Sequence, residues 1–323
     1  MSGIVRRALL AVPLALVASI VVFTAVSLAG DPLASLRQPN VPQETLDLRA
    51  KELGLDLPLP VRYWNWITGV LRGDLGIGVE GQDIAAELVQ RGLVSLRLIT
   101  LALVVAVLMS IGAGFWAAVR AGRPADRVIS ALAVLLLTLP TFWMAVVVKQ
   151  GGIALNQLAG SDLVATLGDA TPGTEGLSLP VRLADYAAHL LLPTIVLVLS
   201  RLPEFTLYQR SATAEVLGSD YLLLARAKGL SRRRVLVRHA LRTSLVPITT
   251  MLALEIPWLL GGLVVIETVF GWHGLGEMLV DGIKQQDVNA VLAFLLVSTV
   301  LITVLNLAAD LLYGVLDPRV SHD

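Results

Sequence analysis

Six apolar stretches, at about residues 8–29, 98–119, 128–148, 187–208, 245–268 and 289–314, decide what this chain can become. A helix needs about 20 apolar residues to cross roughly 30 Å of hydrocarbon, and each stretch is of that order. Inside hydrocarbon a backbone must satisfy its own hydrogen bonds, which leaves helices as the only fold for isolated runs of this kind. A soluble domain of 323 residues would struggle to hide them, since 55% of the residues are hydrophobic and only 15% are charged. The expectation is an all-α integral membrane protein of about six transmembrane helices. The fourth stretch breaks the pattern: its apolar part ends at Ser200 and is followed by Arg201, Pro203 and Glu204. It is either a short helix or one whose inner half faces protein or water.

The basic residues orient the bundle, because Lys and Arg in short loops stay on the cytoplasmic side. With the N-terminus inside, the inner segments hold Arg6 and Arg7, then Arg120, Arg123 and Arg127, then a run from Arg210 through Arg242, and finally Arg319. Most acids fall on the outer segments, among them Asp31, Glu44, Asp56, Asp74, Glu80, Asp169, Asp185 and Asp287. Both termini are therefore expected in the cytoplasm. The 25 Lys and Arg balance the 25 Asp and Glu, so net charge invites no nucleic acid. No cysteine is present, which removes disulfides, thiolate metal sites and a cysteine nucleophile.

Residues 1–30 are expected to form the first transmembrane helix. A signal peptide is the competing reading, because Arg6 and Arg7 precede the apolar run and Ser27-Leu28-Ala29 has small residues at cleavage-like positions. The run is longer than the usual signal core of about 7–15 residues, which favours a retained helix. Residues 31–92 are too long for a simple connector and contain a helical piece, Gln43 to Leu53, closed by Gly54, so a small extracytoplasmic cap is expected there. Residues 93–323 form the core of five transmembrane helices, with an inner loop at about 209–243. A second outer loop, Gly151 to Asp185, is rich in Gly, Ser and Thr without periodicity and reads as irregular.

The inner loop carries the most information. In Ser219-Asp220-Tyr221-Leu222-Leu223-Leu224-Ala225-Arg226-Ala227-Lys228-Gly229-Leu230, Ser219 reads as an N-cap, Asp220 lies at the positive helix end and Gly229 follows Lys228 as a helix stop. Ser231 then begins a second helix through Arg232-Arg233-Arg234 toward the membrane. A helix, a glycine turn and a helix make an elbow suited to a groove on another protein. For the arginines alone, retention on the cytoplasmic side or contact with anionic headgroups is explanation enough.

Ala225-Arg226-Ala227-Lys228-Gly229-Leu230-Ser231, followed by Arg238-His239-Ala240-Leu241-Arg242 and Val246-Pro247, resembles the cytoplasmic "EAA" loop of binding-protein-dependent ABC importers, in the form used by the B-type permease of oligopeptide and dipeptide systems. The resemblance spans nearly the whole chain. Leu53-Gly54-Leu55-Asp56 with Pro58, Arg72-Gly73-Asp74-Leu75-Gly76, Glu267-Thr268-Val269-Phe270 with Gly274-Leu275-Gly276, and Asp310-Leu311-Leu312-Tyr313 with Leu316-Asp317-Pro318-Arg319 are similar to segments of that subfamily. Two departures stand out: Leu223 occupies the position of the family's Glu, and His273 a position where proline is common. The resemblance implies a type I ABC importer permease fold in the cytoplasmic membrane. Its partners would be a second, C-type permease, one or two cytosolic ATPases holding ATP and Mg, and an extracytoplasmic substrate-binding protein. The cargo would be a short peptide; nickel chelates and glutathione are carried by close relatives. The elbow, Ser219 to Ser231, would seat in an ATPase cleft, with docking carried by Ala225, Ala227 and Gly229.

Ionisable residues within membrane helices are costly and mark function. Glu255, beside Pro257, and the pair Arg201 and Glu204, spaced i, i+3, are candidates for a translocation pathway. Asn306 and Asp310 lie one turn apart and read as interhelical glue. Ser110, Gly112 and Gly114 read as close-packing positions. Gly76-Ile77-Gly78-Val79-Glu80-Gly81 is literally G-x-G-x-x-G but follows no strand, so it is no dinucleotide site. The chain holds no P-loop sequence, and His189, His239 and His273 form no catalytic or metal motif, so no cofactor is expected on this chain. A secondary transporter would be expected to show duplicated halves and midplane acids. Glu255 favours that class slightly, while the basic elbow and the missing repeat oppose it.

Overall fold

In the computed structural model, residues 2–37 and 41–316 are described, except for the side chains of 2–12, 14, 15, 35, 175, 249, 250, 253–262 and 304–316. The helices are α1 (Ser2–Ala29), α2 (Gln43–Glu52), α3 (Leu59–Val70), α4 (Ile84–Val119), α5 (Pro124–Thr138), α6 (Thr141–Ala159), α7 (Leu179–Leu217), α8 (Asp220–Ala227), α9 (Arg232–Arg234), a π-helical run (Val235–Leu241), α10 (Arg242–Ser244), α11 (Val246–Phe270), α12 (Leu275–Gln285) and α13 (Val288–Leu316). Among the described residues the only extended pairing is an isolated bridge between Ile77 and Asp83. Each of the six apolar stretches falls on helix; two differ from expectation, and the fourth takes the second of its two expected forms. The second extends back to Ile84, making α4 36 residues long. The third is two helices. Pro140 disfavours helical backbone at Leu139, which is extended (φ −85°, ψ 126°), and α5 and α6 meet there at 104°. The fourth is not short: α7 runs 39 residues straight through Pro193 and Pro203. Beyond Arg201 it buries Pro203, Phe205, Thr206, Gln209 and Thr213, so its polar half faces protein. The loop expected to be irregular from Gly151 shrinks accordingly, because α6 continues to Ala159 and α7 begins at Leu179.

The chain divides into two compact units, residues 1–96 with 272–307, and residues 97–271 with 308–323. In the first, Phe23 of α1, Trp66 of α3 and Val288 and Leu292 of α13 form one core. Leu75, Ile84, Leu275, Met278, Ala290 and Ala293 form another. The Gly76–Gly81 segment is a structural turn, with φ +82° and +92° at its end glycines. It is held by Asp287, 1% exposed, whose carboxylate accepts the N–H groups of Val79 at 2.8 Å and Ala290 at 3.0 Å. The Asn289 amide donates to the Ile77 carbonyl at 2.8 Å. Burial raises the Asp287 carboxyl above its usual range, against the pull of the N–H groups that favour its charge.

The second unit is organised around α7, which packs against α5, α6 and α11. Gly114 is where α4 crosses α7: a side chain there would meet the Thr206 carbonyl at 2.5 Å. Ser110 is fully buried, its hydroxyl within reach of the Ala106 and Leu202 carbonyls. Gly112, by contrast, is exposed, and an added Cβ there would meet no described atom within 4 Å.

Candidate functional site

The elbow begins where α7 ends at Leu217. Ser219 takes the N-cap position of α8 with extended backbone, but its hydroxyl turns back to the Val216 carbonyl at 2.7 Å and leaves the α8 amides uncapped. It therefore closes α7 and does not start α8. Asp220 occupies the first turn of α8, where its charge meets the helix dipole. At the other end, Gly229 has φ +76° and its N–H donates to the Arg226 carbonyl at 2.9 Å, while the Leu230 N–H reaches the Ala225 carbonyl at 3.4 Å. These two bonds, with a left-handed glycine, are a Schellman ending. Its apolar partner is present too: Leu230 packs against the cluster of Leu222, Ala225, Val235 and Ala240, joined by Phe115, Val216 and Leu217. The eight-residue α8 is too short to persist alone, so this cluster is what holds it.

Ala225 accordingly points inward, 7% exposed, and fixes α8 to the return arm; it is not a contact surface. The outward face belongs to Tyr221, Leu223 and Leu224, 51%, 54% and 56% exposed, with Arg226, Ala227 and Lys228 exposed around them. The Tyr221 hydroxyl and His239 Nδ1 lie 2.5 Å apart and the rings meet edge to face at 5.7 Å, tying α8 to the π-helical run. Ser231 begins the return arm without a side-chain cap, and Arg232, Arg233 and Arg234 are exposed.

Both limbs of the elbow are clamped at their roots by fully buried polar side chains. Gln209 Nε2 donates to Thr213 Oγ and to Ser244 Oγ, each at 2.9 Å. Thr213 donates to Ser244 at 3.2 Å, and Ser244 donates to the Leu241 carbonyl at 3.1 Å. This directional chain joins α7 to α10. Alongside it Arg210 grips Asp126 through two nitrogens, Nη2 to Oδ2 at 2.9 Å, and Asp126 also accepts the Gly122 N–H at 2.9 Å. Movement of the elbow must therefore be shared by α7, α5 and the α4–α5 turn. None of these clamp residues stood out as a site in the sequence, although Asp126 is a lone acid among Arg120, Arg123 and Arg127, and Gln209 and Thr213 are i, i+4 polar partners beside an apolar run.

Arg201 Nη1 and Glu204 Oε2 lie 4.0 Å apart, at the limit of an ion pair, with Arg201 mostly buried and Glu204 half exposed. The side chains of Glu255, Asn306 and Asp310 lie outside the described residues. A cation missed by the sequence reading is Lys149, whose ammonium donates to the Val269 carbonyl at 2.5 Å at the C-terminal end of α11, where unpaired carbonyls carry negative charge. Among the described residues no group of His, Cys, Asp and Glu is placed to hold a metal ion.

Residues 110–322 match the family model described as the binding-protein-dependent transport system inner membrane component, and residues 1–81 match the N-terminal model of such membrane components. The chain is 41% identical over 317 residues to the oligopeptide transport system permease protein OppB of Mycobacterium tuberculosis strain H37Rv, covering 98% of this chain and 97% of that protein. It is 35% identical over 335 residues to the dipeptide transport system permease protein DppB of Escherichia coli K12, covering 99% and 98%. It is 33% identical over 321 residues to the glutathione transport system permease protein GsiC of Salmonella typhi, again covering 99% and 98%. A match over most of the chain, relatives of equal length, and α4 and α7 long and apolar enough to cross a bilayer agree: the chain belongs to the inner membrane components of binding-protein-dependent transport systems, as a multi-pass membrane protein.

Proposed function

We propose that this chain is the B-type permease of an ABC importer for short peptides, with six membrane crossings and both termini in the cytoplasm. It pairs with a second, C-type permease to form the pathway, receives cargo from an extracytoplasmic binding protein, and is driven by one or two cytosolic ATPases that hold the ATP and Mg. The observation that carries the reading is the elbow: a short helix, closed at its C-terminal end by a Schellman turn, that shows Tyr221, Leu223 and Leu224 outward while its two roots, α7 and α10, are clamped together. Exposed leucines on so short a helix have little to gain from water, and a hydrophobic cleft on a partner would bury them. A rigid body so clamped passes a push at α8 to α7 and α5, which is how closure of a motor biases two packings of a bundle. The peptide cargo is supported by the oligopeptide and dipeptide relatives; the glutathione relative keeps that tripeptide as the alternative.

Leu224→Asp tests the docking. The exposed site tolerates the charge in the free subunit, so membrane insertion should persist, while ATPase capture in detergent and ATP-driven uptake in vesicles should both be lost. Normal capture and uptake by this variant would remove the elbow from the mechanism.

A further inference from the structure

α3 has an outward face whose chemistry does not suit water. On α3 itself Val61 and Trp64 are 43% and 66% exposed, and Leu57 and Leu71, just before and just after it, are 38% and 82% exposed. Thr68 completes the stripe, and its hydroxyl is turned to the Trp64 and Asn65 carbonyls at 2.9 and 3.0 Å, leaving its methyl as the free group. The opposite face carries Leu59, Tyr63, Trp66, Ile67 and Val70 into the core with Phe23, Val288 and Leu292. A helix on the surface of a soluble cap keeps a polar outer face; on this one the exposed side chains are apolar but for Asn65. Its level in the molecule explains why. The Tyr63 hydroxyl lies 2.9 Å from Ser19 Oγ, the Tyr63 and Phe23 rings meet edge to face at 5.4 Å, and Val22 and Val26 join the same core. α3 thus lies beside the last turns of a 28-residue helix, about 42 Å long by its rise and so longer than the roughly 30 Å hydrocarbon layer. On that stretch α1 itself turns Val17, Ile20 and Val21 outward, 59%, 47% and 60% exposed.

We propose that α3 is an interfacial helix: its Leu57–Leu71 stripe is embedded at the boundary between acyl chains and headgroups, Trp64 is its aromatic anchor, and the exposed Arg72 meets the lipid phosphates. The helix fastens the segment between α1 and α4 to the bilayer surface. This rests on the reading of α1 as a membrane helix, so the experiment probes both.

Because the chain has no cysteine, single nitroxide labels can be placed cleanly on the full-length protein. Trp64→Cys and Leu71→Cys report the stripe, Val17→Cys reports α1, and Glu44→Cys on exposed α2 reports water. The probe is vesicles of phosphatidylethanolamine and phosphatidylglycerol, with collisions compared between oxygen and a water-soluble nickel chelate. The expected result is oxygen preference at 17, 64 and 71, with 64 and 71 shallower than 17, and nickel preference at 44. Nickel preference at 64 and 71 beside oxygen preference at 17 overturns the interfacial helix and leaves α1 in the membrane; nickel preference at 17 overturns both. Labels at 64 and 71 that become shielded only when the binding protein is added mark a protein-docking face and also overturn it. If Trp64→Cys aggregates, the Leu71 label decides alone.

Discussion

Gly229 offers the sharpest test of the elbow because the structure separates two causes of damage. An added Cβ at this position would meet no atom within 4 Å, so alanine there creates no clash within this chain. What remains is the backbone, held at φ +76° by the Schellman bonds. An L-residue in the left-handed region costs about 1–2 kcal/mol, less for Asn and more for a β-branched residue. Against a helix of eight residues held by four buried side chains, that cost lowers the ratio of correctly seated to misplaced elbows by roughly five- to thirty-fold. The global fold, anchored elsewhere, should survive. ATP-driven peptide uptake in vesicles containing the whole transporter should therefore fall in the order Gly, Asn, Ala, Val, with Gly229→Val inserted normally and severely uncoupled. Wild-type uptake by Gly229→Val would refute the elbow. Equal losses for Asn and Val would refute the strain argument, because the left-handed penalty is far smaller for Asn than for a β-branched residue.

Asp126→Ala should cost about 2–3 kcal/mol of thermal stability in detergent, below the 3–5 of a fully buried pair because Arg210 is 34% exposed, and Arg210→Ala added to it should cost little more. Additive losses would mean the two residues do not act as a pair. For Asp287, which lies outside the helices, the folded carboxyl is raised by burial, so its contribution to stability is complete below the unfolded pKa of about 3.9 and fades as pH rises through the folded value. The melting temperature of wild type relative to Asp287→Asn should therefore decline as pH increases above about 4; a relative gain would reverse the sign of this reasoning. Lys149→Met removes the cation from the α11 carbonyl end, and amide hydrogen exchange at Gly168, whose N–H bonds the neighbouring Phe270 carbonyl at 2.9 Å, should accelerate. Unchanged exchange there would mean Lys149 is not what secures that end.

The helices were legible because lipid imposes one rule on every residue of a span, and a run of twenty apolar side chains satisfies it without reference to the rest of the fold. Gly229 was legible for a similar reason: the left-handed turn after Lys228 is a local demand that glycine meets at least cost. What the sequence hid is what depends on two distant segments at once. Leu139-Pro140 looked like part of one apolar run, although a proline after leucine is enough to break it. Ala225 looked equivalent to Ala227, and only the fold of the return arm, which brings Val235 and Ala240 against one side of α8, shows that the first is core and the second surface. Ser219 carries the signature of an N-cap yet its hydroxyl bonds backward to the Val216 carbonyl at the end of α7, which also accepts the Ser219 N–H. Gln209, Thr213 and Ser244 are separated by up to 35 residues and carry no motif, but buried side-chain polar groups need partners, and the Gln209 Nε2 and the two hydroxyls find theirs in one another. The same need explains why the clamp sits at the roots of the elbow and not at its tip: a polar chain locks geometry only where water is excluded, whereas the tip must keep its leucines free.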